Sequence, residues 1–203
     1  MHMNGMSIML QVNDRLQDYA ERVKNGLLSV DSREFEKVYE TLKWAYLNQA
    51  EVMVCGNGGS LTMSEHFHCD HAKGIFYDAK LKPRIYPLTT ASILTAIAND
   101  IGYDDVFSFQ VDSKGRPGDI LVAISASGNS PNIIKAIEKA TEKRMTTVAF
   151  VGFDGGRASK IADIVLHVKE DNYGIVEDCH QSMMHILAQH IRSEYNQNEG
   201  IKL

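Results

Sequence analysis

The chain has 203 residues, 44% hydrophobic and 23% charged, with four prolines. That is an ordinary globular composition, able to fill one core without disulfide staples. A net charge of -5 carries no electrostatic footprint for nucleic acid or an anionic membrane, so neither is expected as a partner. Three cysteines, Cys55, Cys69 and Cys179, form no CxxC pair and read as reduced thiols of a cytoplasmic protein. The opening MHMNGMSIML lacks the regions of a signal peptide. No apolar run approaches the roughly 18 residues needed to span a bilayer.

Apolar residues recur at helical spacing from Leu10 through Val12, Leu16, Tyr19, Ala20 and Val23 to Leu27, predicting a helix over about 9–28. Asp31 or Ser32 can cap a second helix that carries Val38, Leu42, Ala45 and Tyr46. Helices placed ahead of an α/β core cover it or make an oligomer contact. From Glu51 the pattern changes. Residues 51–55 read as a short buried strand closed by GNGGS, and 59–72 as a helix. Residues 84–88 read as a second strand and 90–99 as a helix. DILVAI (119–124) is a third strand, closed by SASGNS, and Pro131 sits at the first position of a helix reaching about 142. Residues 146–151 form a fourth strand closed by GFDGG, 162–168 a fifth, and a long last helix runs from about 175 to 195.

The strand runs are continuous rather than alternating, and helices separate them. That predicts a parallel sheet covered on both faces, with ligands at the carboxyl ends of the strands. The whole chain is expected to be a single domain, with about 1–50 as leading helices and about 51–200 as the α/β core.

Two corners stand at that edge, Val54-Cys-Gly-Asn-Gly-Gly-Ser60 and Ile124-Ser-Ala-Ser-Gly-Asn-Ser130. After a strand, a glycine turn lets backbone N–H groups face outward, and the next helix adds a dipole that favours an anion. The hydroxyls of Ser60, Ser125, Ser127 and Ser130 can all donate to one phosphate. A plain helix cap explains GNGGS about as well, but three serines exceed what one cap requires. No Gly-Lys-Ser/Thr of a Walker loop is present, and Leu61 stands where a dinucleotide fingerprint needs its third glycine. The corners therefore suit a phosphate monoester.

Six of eight histidines fall in SEHFHCDHAKG and VEDCHQSMMHILAQHIR, both predicted helical. His66 and Asp70 share a helix face, as do Glu177, Gln181 and His185. Two imidazoles and two carboxylates suit a divalent metal such as zinc, an acid/base pair, or both. A hydrogen-bonded core histidine is the competing reading for His66 and His185. His68, His71 and His190 point elsewhere and read as surface or interface residues. Cys69 and Cys179 read as packing residues, with a soft-ligand role as the alternative.

Taken together, CGNGGS, AIANDIGYDDVFS, GDILVAISASGNSPNIIKAI, GFDGG and MHILAQHI resemble the sugar isomerase (SIS) family, in its phosphoheptose isomerase branch. The resemblance covers nearly the whole chain. It implies a flavodoxin-like five-stranded parallel sheet sandwiched by helices, with two N-terminal helices. It also implies a homotetramer with active sites between subunits and a bound zinc ion. The reaction it implies converts sedoheptulose 7-phosphate to D-glycero-D-manno-heptose 7-phosphate through an enediol.

By the same resemblance, Gly58, Ser60, Ser125, Ser127 and Ser130 hold the phosphate. Asn57, Asn99 and Asp100 contact substrate. His66, Asp70, Glu177 and His185 hold the metal, and the last three of these also carry the catalysis. Asp70 or Glu177 is the carbon-proton base, and His185 moves a proton to and from oxygen. Three positions depart from the family pattern: Asp70 stands for Glu, Glu177 for Gln, and Ile75 where Arg is common. A non-catalytic scaffold of the same fold, such as a replication-initiation regulator, is the rival from another class. Such scaffolds lose the second cradle serine and the last-helix histidine, which are present here as Ser127 and His185. An isomerase of another phosphosugar is the third reading.

Overall fold

The computed structural model describes residues 3–79 and 81–195, with side chains from residue 12 onward. The side chain of Leu10, assigned above to the first helix face, lies outside the described residues. In chain order the leading helices are α1 (Met3–Leu28) and α2 (Ser32–Asn48). Asp31 is the cap of α2, its carboxylate accepting from the Arg33 N–H at 2.9 Å. Val38, Leu42, Ala45 and Tyr46 are buried as the helical spacing requires.

The core follows as β1 (Glu51–Gly56), α3 (Gly59–His68), α4 (Phe76–Ala79), β2 (Arg84–Pro87), α5 (Ala91–Asp100), α6 (Ser108–Lys114) and β3 (Ile120–Ser125). It continues through α7 (Pro131–Glu142), β4 (Thr146–Val151), α8 (Ala158–Ile161), β5 (Ile164–His167) and α9 (Tyr173–Tyr195). The sheet is parallel throughout, in the order β2-β1-β3-β4-β5.

Each central strand buries both faces, which is why its sequence is continuously apolar. Val52 and Val54 of β1 pack into the layer of α2, α3 and α9, whereas Met53 and Cys55 pack into that of α5, α6 and α7. From β1 the chain turns outward to β2, then crosses back to β3 on the other side. The crevice at the carboxyl ends of β1 and β3 is therefore the topological switch point.

Four local differences from the sequence reading are informative. The helix after β1 does not run evenly over 59–72. It is α-helical to His68, becomes a π-helix over Cys69–Ile75, and resumes as α4. Each π turn holds an extra residue, which apolar spacing at 3.6 does not register. His71, read above as a surface or interface residue, is fully buried on the face of Phe67, four residues earlier. It hydrogen-bonds Tyr46 Oη through Nδ1 at 2.6 Å and stacks on Phe67 at 3.9 Å. Cys69, read as a packing residue, is exposed, whereas Cys179 is buried as expected. The short α6 and α8, and a 3-10 turn over Tyr103–Asp105, were not anticipated.

Candidate active site

The first corner leaves β1 at Gly56, and Gly58 takes φ +54, a left-handed conformation that glycine adopts freely. Helix α3 then begins at Gly59 with no side chain capping it. The second corner leaves β3 at Ser125, and α7 begins at Pro131. Ser130 occupies the cap position of α7, yet its side chain makes no capping bond. The capping explanation for that serine therefore fails. Among the described residues, no hydrogen bond engages the Ser60 or Ser125 hydroxyl either. Ser127 Oγ accepts only a long bond from the Asn129 N–H, 3.3 Å.

These four serines, with Asn57, Tyr173 and Glu177, line one pocket of about 140 Å³. Two helix N-termini and free hydroxyls face a space lined by no lysine or arginine and by one carboxylate, Glu177; helix dipoles and hydroxyls are what could favour an anion there. A wider groove shares Ser127, but Asp154, Glu170 and Asp171 outnumber Lys169 on its walls, a balance that disfavours a phosphate.

Two devices hold the corners in place. The GFDGG corner after β4 braces the serine corner, with Gly152 N–H donating to Ala126 O at 2.8 Å and Ala158 N–H to Gly128 O at 2.9 Å. Gly128 has φ +64, and a Cβ there would strike the Gly155 carbonyl. The second device joins the first corner to α7. Asn57 Nδ2 donates to Asn132 Oδ1, and Asn132 Nδ2 returns to Asn57 Oδ1, both at 2.9 Å. Tyr103 Oη donates to the same Asn57 oxygen at 2.9 Å. The Asn57 oxygen is thus filled, and one amide hydrogen remains for a ligand.

Helix α9 runs beside α3, with Glu177 against Gly59 and His185 near His66 and Asp70. Asp70 Oδ2 lies 2.9 Å from His185 Nδ1 and 3.4 Å from His66 Nε2. The two imidazoles meet edge to face at 4.9 Å. Gln181 Nε2 lies 3.0 Å from His185 Nε2 and orients that ring. Asp70 Oδ2 is buried, yet no hydrogen bond reaches it. One ligand atom from each of His66, Asp70 and His185 falls within 4.8 Å of the others. A buried, unsatisfied carboxylate oxygen between two imidazole nitrogens is a donor set that fits a divalent cation.

The sequence-predicted residues therefore divide. His66, Asp70 and His185 come together, and the serines, Asn57 and Glu177 form the pocket. Glu177 is not part of the three-residue cluster. Asn99 and Asp100 are exposed at the end of α5, bonded to each other at 2.8 Å, and do not line the serine pocket. Neither Cys69 nor Cys179 joins the cluster. Ile75 is fully buried in the core, so that departure faces packing rather than the pocket. Asn132, Tyr103 and Tyr173 were missed. For Tyr103 the signal was available, since it lies within AIANDIGYDDVFS, but no spacing rule connects it to Asn57.

Behind the site, His180 is fully buried, edge-on to Phe150 at 5.8 Å. Burial pushes its pKa down to about 4, partly offset by the nearby Val151 carbonyl. Burial likewise lifts the Cys55 thiol to about 12, so it is no nucleophile.

The SIS domain family profile matches residues 17–152. A Helicobacter pylori phosphoheptose isomerase is 37% identical over 180 residues, covering 87% of this chain and 92% of its own. A Shewanella denitrificans phosphoheptose isomerase is 35% identical over 194 residues, covering 92% and 99%. The solved structure of phosphoheptose isomerase GmhA from Neisseria gonorrhoeae superposes with a TM-score of 0.83 at 32% identity, covering 92% of this chain and 99% of that one.

Proposed function

This chain belongs to the SIS domain family, among the phosphoheptose isomerases, and we propose that it interconverts sedoheptulose 7-phosphate and D-glycero-D-manno-heptose 7-phosphate. The observation that carries the reading is the spacing along α9. Glu177 marks the phosphate pocket and His185 the cluster, eight residues apart, or about 12 Å of helix. An extended seven-carbon phosphate monoester has that order of length. Its phosphate in the serine pocket brings C1 and C2 to His66, Asp70 and His185.

The serines and helix N-termini bind the phosphate, and the free Asn57 amide hydrogen orients the sugar. At the far end, Asp70 is the carboxylate placed to take the proton from carbon, because Glu177 sits at the phosphate end. His185 keeps Nδ1 toward Asp70, and its Nε2, which Gln181 would release to substrate, carries a proton between the two substrate oxygens. Tyr173, exposed and lining the same pocket, would stand beside the phosphate. His66, Asp70 and His185 would hold a divalent cation, zinc by preference for two imidazoles and a carboxylate. When bound it supplies charge stabilisation for the enediolate. Asn99 and Asp100 fit the reading as groups offered to a neighbouring copy in a homotetramer, consistent with the exposed Val12, Leu16 and Ile186. A cytoplasmic location suits this chemistry, and no helix among the described residues is long and apolar enough to cross a membrane.

The test is NMR of purified protein with sedoheptulose 7-phosphate, with and without added zinc. The expected result is conversion to the aldoheptose phosphate, faster with zinc. Phosphate binding with no conversion of any sugar phosphate would replace this reading with the scaffold one.

A further inference from the structure

Glu177 stands where its charge conflicts with the ligand. Its side chain lines the same pocket as Ser60, Ser125, Ser127 and Ser130. Its carboxylate oxygens lie 2.8 and 2.9 Å from the point where a Cβ on Gly59 would sit. The glycine that opens α3 therefore makes room for this carboxylate. No hydrogen bond or ion pair among the described residues holds Glu177 in place. What favours it there is the N-terminus of α3, the same feature that favours a phosphate. No cation lines the pocket to reconcile two anions. A phosphate group on the serines would share the pocket with the Glu177 carboxylate, like charge beside like charge.

We propose that Glu177 is an internal competitor for the phosphate pocket, a specificity-determining residue that excludes free orthophosphate and yields to the whole sugar phosphate. The proposal rests on reading the pocket as a phosphate site. Orthophosphate meets the carboxylate with only its own one or two P–OH donors and has nothing that reaches along α9. A sugar phosphate brings a row of hydroxyl donors along α9, and a displaced carboxylate, acceptor only, can take them. The unfavourable element thus acts against the wrong ligand and is relieved by the right one. It also gives a reason for Glu where the family pattern has a neutral amide.

Titration calorimetry in chelator-treated buffer tests this with two probes, inorganic phosphate and a heptitol 7-phosphate, which has no carbonyl to isomerise. Glu177→Gln keeps the shape and removes the charge. It should bind inorganic phosphate roughly tenfold more tightly than wild type, the size of a like-charge repulsion across water at this range. The heptitol phosphate should change much less, so the selectivity between the probes collapses. Glu177→Asp, with the charge withdrawn by one methylene, should fall between. Unchanged or weaker phosphate binding by Glu177→Gln would overturn the proposal while leaving the phosphate site standing. Equal tightening of both probes would also overturn it, as unselective repulsion. If neither probe binds wild type or variant, the phosphate site itself is wrong and the proposal goes with it.

Discussion

The serine pocket and the histidine cluster lie along the same two helices but are built differently. The pocket is made of backbone at the ends of β1 and β3, braced by the glycine corner after β4 and by the paired amides of Asn57 and Asn132. Its geometry is set by the sheet. The cluster is made of three side chains from two helices, one of them leaving an α-turn for a π-turn at Cys69. Nothing but side-chain contact orients it, and its central oxygen has no hydrogen bond. On the proposed roles, binding is preorganised by the fold, whereas chemistry depends on groups that can be removed without touching the sheet.

The largest test of that separation is His185→Asn. It removes the group proposed to carry the proton and leaves both corners intact. Turnover should fall by about 10²–10⁴, while calorimetry with a sugar phosphate should show affinity within a few-fold of wild type. Lost binding would mean that the two regions are one.

Acid should separate them next, through α9. His180 titrates near 4 in the fold and near 6.5 unfolded. A depressed folded pKa means the unfolded chain takes up the proton first. The stability contribution is full above pH about 6.5, shrinks as pH falls, and is lost by about 4, on the order of 3 kcal/mol. Urea unfolding at pH 7.5 and 4.5 should show this loss, and His180→Leu should lose less over the same window. An equal loss in both proteins would exclude His180 as the source.

Ser130→Ala acts on the pocket alone. Its hydroxyl is not needed to cap α7, so stability should hold. One hydrogen bond to a charged phosphate is worth about 1.5–3 kcal/mol, which predicts a KM raised roughly ten- to hundredfold with kcat little changed. A fall in kcat without a change in KM would place Ser130 in the chemistry instead.

The same contrast explains what could be read before any coordinates. A continuous apolar run ending in Gly and Ser reports a buried parallel strand and an outward-facing turn in one stretch, so both corners and the parallel sheet were legible. Helical spacing placed His66 beside Asp70 because four residues return to the same face one turn on. It put Glu177 with His185 for the same angular reason, but eight residues also separate them by about 12 Å along the axis. Angle was legible and height was not. His71 was misread although it lies four residues after Phe67, the buried ring it stacks on, so its burial was legible in the same spacing; the π-turn from Cys69 was not, because no residue type announces one. The link from Asn57 to Asn132 joins positions 75 residues apart. Only the sheet order brings them together.

Tyr103→Phe gives the smallest effect and the finest discrimination between pocket and cluster. The ring is exposed, so its loss of a hydroxyl leaves packing unchanged. What disappears is the donor to Asn57 Oδ1, one of two that fix which way the amide points. With one gone, the Asn57–Asn132 pair can rotate together, and the free amide hydrogen is aimed at the sugar only part of the time. A neutral hydrogen bond is worth about 0.5–1.5 kcal/mol, so KM should rise roughly two- to tenfold. Affinity for inorganic phosphate, weak while Glu177 is in place and proposed to rest on the serines, should stay within error of wild type. Asn132→Ala removes the other donor and should add to the effect on sugar phosphate only. If Tyr103→Phe instead weakens both ligands equally, Asn57 serves the phosphate rather than the sugar. The boundary between the two regions then lies further along α3 than the amide pair.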